Sequence, residues 1–422
     1  MPQTDIVYKL PVEIWEQIFN YLCHRSFVQG DTGIDGIEDI DLFKTKVPLF
    51  LRLGVARTYI SLTCRYFRDI LQPARNQLAI IECQPTVIVT TIAGHPAWEA
   101  ERLEGLNPYP SYDKTIGSVV NWPSAWLTQS WPLLQSLVLD PNFPFNPIPI
   151  LSRAPNLRLL SCRLETTRAE NGNIYPLLHH PQLKRLTHLS LCLNDWQLIN
   201  SPLPKLILPF LIVFQLRFQT FDRSSGTGTA LLNLIPWKLP ILRTFSLQGK
   251  IDMATHHQLQ PFLDRHASIV VNFVNNLTSL SHRKTLYMML LHFYRLQVYS
   301  VDVDCILRED ICVSQSTSPE MQRESPTLLL TGICTPSIQK IPFFHFASAA
   351  RRIVPNFNTL TRVMLGESWR NIRHMHNQPD RSDVDFKDKL MALLVGFQKY
   401  GIVVVDIHGV KMPRGSSDWL EK

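Results

Sequence analysis

The chain has no apolar run able to span a membrane: its longest, 206–214 (LILPFLIVF), is interrupted by Pro209 and falls far short of the roughly 20 residues that a spanning helix needs. Its eight cysteines, at 23, 64, 83, 162, 192, 305, 312 and 334, form no Cys-x-x-Cys pair. That spacing excludes a short-range disulfide or zinc framework and reads as reduced thiols in a reducing compartment. The opening residues MPQTDIVYKLP lack a basic stretch followed by an apolar one, so no secretory signal is expected, and the expected location is cytoplasmic and/or nuclear. Blocks of like charge are also missing. The net charge of +7 is spread along the chain, and although the isoelectric point is near 9.0, there is no interleaving of basic and aromatic residues. A nucleic-acid partner is therefore not expected, and neither is a membrane. Glycine is scarce, 17 against 30 prolines, which disfavours phosphate-cradling loops and suits many short elements joined by proline-marked turns.

What remains is apolar enough to fold. Of 422 residues, 45% are hydrophobic and 18% charged, and the mean hydropathy is -0.02. Length and composition together point to two or three globular domains with a sizeable core.

Residues 10–22, LPVEIWEQIFNYL, pattern as a short amphipathic helix. Pro11 suits the first helical position and Glu13 the positive end of the helix dipole. Ile14, Ile18 and Leu22 recur at every fourth residue, with Trp15 and Phe19 beside them, giving more apolar surface than so short a helix needs for itself. A second helical pattern, TYISLTCRYFRDIL, places Ile60, Cys64, Phe67 and Leu71 on one face.

These two segments resemble the F-box, whose pattern opens with Leu-Pro, a Glu and an Ile/Phe-bearing helix and later shows an apolar-Cys-Arg-x-aromatic-Arg segment. The resemblance covers residues 8–75 and implies a small helical module that docks on the Skp adaptor and, through it, on a cullin-RING ubiquitin ligase. It assigns the adaptor-facing positions to Leu10, Pro11, Ile14, Ile18 and Phe19, with Cys64, Arg65 and Phe67 matching the later segment. Two departures stand out. The tryptophan common at the Phe67 position is absent, and residues 24–47 form a Gly/Asp-rich insertion between the helices, tolerable because loop closure costs grow slowly with length.

The rest of the chain repeats. LQSLVLD, LRLLSCR, LTHLSLC, LIVFQLR and LRTFSLQ begin at Leu134, Leu157, Leu186, Leu211 and Leu242, at a mean spacing of 27 residues. That spacing approximates leucine-rich repeats, each contributing one strand and a return segment. Fainter copies begin at Leu296 (LQVYSVD), Leu360 (LTRVMLG) and Gly401 (GIVVVDI), with IVVNFV at Ile269 and TLLLTGI at Thr327 between them. Pro-x-Leu corners precede several of these strands. The expectation is an α/β fold: a small N-terminal α-helical module, then an irregular leucine-rich-repeat solenoid over 80–422 with a parallel concave sheet. The helix predicted over 383–400, ended by Gly401, would cap its C-terminus.

Strand alternation sends the leucines inward and the third, fifth and seventh positions of each repeat to the concave face. From these we take Arg163, His188, Gln215, Arg217, Ser246 and Gln248 as candidate target-binding residues, suited to an acidic or phosphorylated group. No catalytic residue, metal site or cofactor is assigned. His374, His376, Asp380 and Asp383 read as a polar loop without dependable ligand spacing. Asp302 and Asp304 read as a solvated pair on one strand face. The expected role is substrate recognition in an SCF-type ubiquitin ligase: a non-catalytic subunit with the Skp adaptor at one end and a target protein on the solenoid. The alternative is an interaction scaffold that binds its partner without directing ubiquitination.

Overall fold

A computed structural model describes residues 78–83, 88–90, 100–106, 124–140, 146–164, 176–193, 205–218, 237–249, 253–277, 293, 295–308, 327–333, 341–354, 360–376, 384–407 and 409–411, together with Pro11 and Ile14. The chain is α/β and divides into two compact units at Cys192/Leu193, at the end of its sixth strand.

The first unit carries β1 (Leu78–Cys83), β2 (Ile88–Thr90), β3 (Arg102–Leu106), β4 (Ser136–Leu139), β5 (Leu159–Arg163) and β6 (His188–Leu193). From β1 through β3, β4 and β5 to β6, each strand is parallel to the next. β2 is antiparallel to β1. The second unit carries β7 (Val213–Phe218), β8 (Thr244–Gly249), β9 (Asn272–Leu277), β10 (Val298–Asp302), β11 (Thr327–Thr331), β12 (Arg362–Leu365) and β13 (Val403–Val405). All seven are parallel and adjacent in chain order. Each of the ten leucine-patterned segments predicted from the sequence thus contains a strand. Parallel neighbours need a return segment between them, here supplied in part by α1 (Ser124–Thr128), α2 (Ile148–Leu151), α3 (Met253–His266), α4 (Val303–Arg308), α5 (Phe343–Ile353), α6 (Trp369–His376) and α7 (Val384–Gln398).

The corners show why proline recurs. The amides of Leu134, Leu157, Leu186, Leu211 and Leu242 donate to the carbonyls three residues earlier, at Trp131, Ala154, Leu183, Leu208 and Leu239, over 3.1–3.4 Å. Pro132, Pro155, Pro209 and Pro240 occupy the second position of four of these turns, where the ring pre-sets the required backbone angle. The closing leucines are fully buried.

One face of the strands of the second unit is an aromatic ladder. Phe214, Phe245, Phe273 and Tyr299 are register partners, with successive ring centroids 5.9–6.1 Å apart. Phe262 of α3 packs on Phe214 and Phe245 at 6.1 and 5.5 Å, and Trp237 lies 5.6 Å from Phe214. α3 is fixed further by buried His266, whose Nδ1 bonds the Phe262 carbonyl at 2.8 Å while Nε2 accepts the Leu239 amide at 3.2 Å. Both ring nitrogens are thereby satisfied by the neutral tautomer. Burial pushes this histidine below its ordinary pKa of 6.5, and the Arg265 charge beside it adds to that effect, against the opposing hydrogen bond to Phe262. The unfolded chain therefore binds a proton near pH 6.5 that the folded chain refuses, so stability is retained above that pH and falls as the pH drops through it. One such proton contributes a slope of up to about 1.4 kcal/mol per pH unit. Urea unfolding between pH 7.5 and 5 should show this slope, and His266→Gln should reduce it, the remainder coming from His180, whose pKa burial also lowers.

β8 ends on Gly249 at φ +95°, where an added Cβ would collide with the Phe218 carbonyl oxygen. Gly249→Ala should cost about 2 kcal/mol or more, combining the strain of the left-handed conformation with that clash, measured as a fall in the urea midpoint. Gly401 at φ +74° follows α7, as its position predicted. Among the described residues no helix is long and apolar enough to cross a membrane.

Candidate functional site

The register confirms which side chains share the face opposite the leucines. In the first unit Ser136, Leu159 and His188 are partners, as are Val138, Ser161 and Ser190. In the second, Gln215 pairs with Ser246 and Arg217 with Gln248. Much of this face is covered, however, rather than open. Ser136, Ser161 and Ser190 in the first unit, and Thr244, Asn272 and Ser300 in the second, are all buried within the chain.

The candidate target-binding residues divide accordingly. Gln215 and Ser246 are buried and engaged with each other, Gln215 Nε2 donating to Ser246 Oγ at 3.2 Å. Arg217 is half-buried and its Nε donates to Gln215 Oε1 at 2.8 Å, with half-buried Gln248 beside it in register. In the first unit, Arg163 and His188 are both half-buried, but the structure does not bring them together. Arg163 pairs with Cys192 and His188 with Leu159, so they sit four residues apart along the strand direction, roughly 13 Å. Sequence alternation placed them on one face and missed their level. His188 Nδ1 lies 2.8 Å from Thr187 Oγ1.

Sequence reasoning missed a buried ion pair on the same face. Arg102 Nε donates to Glu104 Oε1 at 2.8 Å, with side-chain exposures of 1% and 0%, and Arg102 Nη1 donates to Ser136 Oγ at 3.1 Å. Burial pushes the Arg102 pKa down, and the Glu104 carboxylate opposes that shift. The available signal was the alternation Arg-Leu-Glu-Gly-Leu over 102–106, which puts two opposite charges on one strand face.

Of the adaptor-facing residues, Leu10, Ile18, Phe19, Cys64, Arg65 and Phe67 lie outside the described residues, as does nearly all of 8–75. Pro11 and Ile14 are described: Ile14 is helical and exposed, and its amide donates to the Pro11 carbonyl at 3.1 Å.

Two polar clusters differ from their sequence expectation. His374 and His376 lie in α6 rather than a loop, and no group of three or more potential metal ligands occurs among the described residues. Asp302 ends β10 while Asp304 already belongs to α4, so the two do not share a strand face. Asp302 Oδ1 accepts the Asp304 amide at 2.8 Å, the capping bond that a helix start requires. Burial raises the Asp302 carboxyl above its ordinary range, with the Asp304 charge contributing and the hydrogen bond from the Asp304 amide opposing. A Ser–His contact occurs between Ser152 Oγ and His180 Nε2 at 3.0 Å. Its polarity is wrong for a nucleophile and base: His180 Nδ1 accepts the Gln182 amide, leaving the proton on Nε2, and Ser152 Oγ donates to the Ile148 carbonyl.

Comparison with family models, with curated proteins and with solved structures finds no match for this chain.

Proposed function

We propose that this chain is the substrate-recognition subunit of an SCF-type cullin-RING ubiquitin ligase, an F-box module at 8–75 binding the Skp adaptor and a leucine-rich-repeat solenoid presenting a target protein. The observation that carries the reading is the pair of segments LPVEIWEQIFNYL and LTCRYF ahead of ten leucine-patterned units; parallel strands in chain order within each unit support its solenoid half. The chain would do no covalent chemistry itself; ubiquitin transfer belongs to other subunits.

The test is adaptor capture. Ile14→Lys and Ile18→Lys should each reduce co-purification of recombinant Skp adaptor by more than tenfold while leaving the unfolding transition of the sheet unchanged. Removing a buried aliphatic contact loses about 1.5–3 kcal/mol, and a charge placed in that contact adds a desolvation penalty. Undiminished capture by both variants would reject the assignment. Retained capture with no change in target stability on deleting residues 8–75 would instead indicate a scaffold.

A further inference from the structure

We propose that the corner formed by residues 205–211 and 237–243 is a docking surface for an acidic protein segment bearing large apolar side chains. This surface belongs to the second unit and does not rest on the ligase reading.

The two stretches are copies of one motif. Leu206-Ile207-Leu208-Pro209-Phe210-Leu211 and Trp237-Lys238-Leu239-Pro240-Ile241-Leu242 are offset by 31 residues, the same offset that pairs β7 with β8. Ile207 and Lys238 form a parallel bridge, the Leu208 amide donates to the Lys238 carbonyl and the Lys238 amide to the Leu206 carbonyl. The two corners are therefore adjacent rungs, about 5 Å apart. Folding accounts for one half of each motif: Leu206, Leu208, Leu211, Trp237, Leu239 and Leu242 are buried. The alternate positions owe nothing to the core, yet three of them carry large apolar side chains. Ile207, Phe210 and Ile241 are 46%, 55% and 45% exposed. An isolated exposed aliphatic residue is ordinary, whereas three on adjoining rungs make a patch of the kind that marks an interface.

Charge selects the occupant. Lys205, Lys238 and Arg243 are exposed around the patch, and Arg265 is tied to the same corner by donating to the Trp237 carbonyl at 3.4 Å. Among the described residues the carboxylate on the adjoining helix end is Asp264, against the exposed Lys205, Lys238 and Arg243. An acidic partner gains charge complementarity and faster association there, while two copies of a chain with net charge +7 would oppose each other. Phe210 and Ile241 are about half exposed, and a protein segment can pack on such side chains from outside.

The test is selection of a random 12-residue peptide library displayed on phage against the full chain, followed by binding of the enriched peptides in synthetic form. Enriched sequences should combine Asp or Glu with at least two of Leu, Ile, Phe or Met. Their affinity should fall at least tenfold for Phe210→Ser/Ile241→Ser and for Lys238→Glu/Arg243→Glu, and stay unchanged for Leu133→Ser, which alters the equivalent exposed corner position of another repeat. Thermal unfolding of each variant establishes that it is folded. The proposal is overturned by enrichment of basic or uncharged peptides, by affinities that ignore both double variants, or by failure to enrich any peptide. Patch-dependent sedimentation with phosphatidylserine vesicles in place of peptide binding would assign the corner to a membrane. Dimerisation lost on Phe210→Ser/Ile241→Ser would assign it to a second copy, and either result also overturns the proposal.

Discussion

Phe245→Ala should destabilise the second unit by about 3–5 kcal/mol, the usual range for removing a fully buried phenylalanine. Phe245 has no exposed surface and sits in the middle of the ladder, with Phe214 and Phe273 on either side and Phe262 of α3 across it. Alanine would leave a cavity touching two other strands and a helix, and would also break three ring contacts worth about 0.5–1.5 kcal/mol each in favourable geometry. Phe344→Ala supplies the comparison: that ring is 63% exposed at the start of α5, and its loss should cost no more than about 0.5 kcal/mol. The check is the urea midpoint of both variants. Equal midpoints would mean that the ladder does not hold the strands together.

The ladder was legible in outline and not in composition. Leucine spacing located the strands because a residue buried between sheet and return segment must recur once per rung, and Phe214, Phe245, Phe273 and Tyr299 occupy that recurring position. Proline marked the corners for an equally local reason, since it pre-sets the turn that brings each closing leucine inward. Alternation also indicated which side chains share the opposite face, because period 2 is fixed by backbone geometry. It carried no information about cover. Whether Gln215 and Ser246 meet solvent depends on what lies over the sheet, which is a tertiary fact, and the level of Arg163 relative to His188 depends on register between strands. The turn of the chain at Asp302 was missed because Val-Asp-Val-Asp alternates as a strand does, while the capping bond from the Asp304 amide to Asp302 ends the strand at Asp302 itself.

A strand outside the leucine pattern, β3, carries the other large effect. β3 has charges at Arg102 and Glu104 where its register partners on β4 are Ser136 and Val138, and such a segment reads as exposed. The structure buries both, and the geometry explains how they are tolerated: the guanidinium gives Nε to Glu104 and Nη1 to Ser136, so each desolvated charge has an opposite charge or a polar atom in contact. Such a pair does not by itself imply net stabilisation, because the cost of taking two ions out of water offsets their attraction. Breaking it is another matter. Glu104→Leu leaves Arg102 buried without its counter-ion and should destabilise the first unit by about 3–5 kcal/mol, whereas Arg102→Met/Glu104→Leu, which removes both charges and keeps similar volume, should lie within about 1 kcal/mol of the native chain or above it. The coupling between the two substitutions, read from urea unfolding of the two single variants and the double, should therefore be large and favourable. Additive losses would mean that Arg102 reaches water when Glu104 is gone, and that the covered face opens at β3.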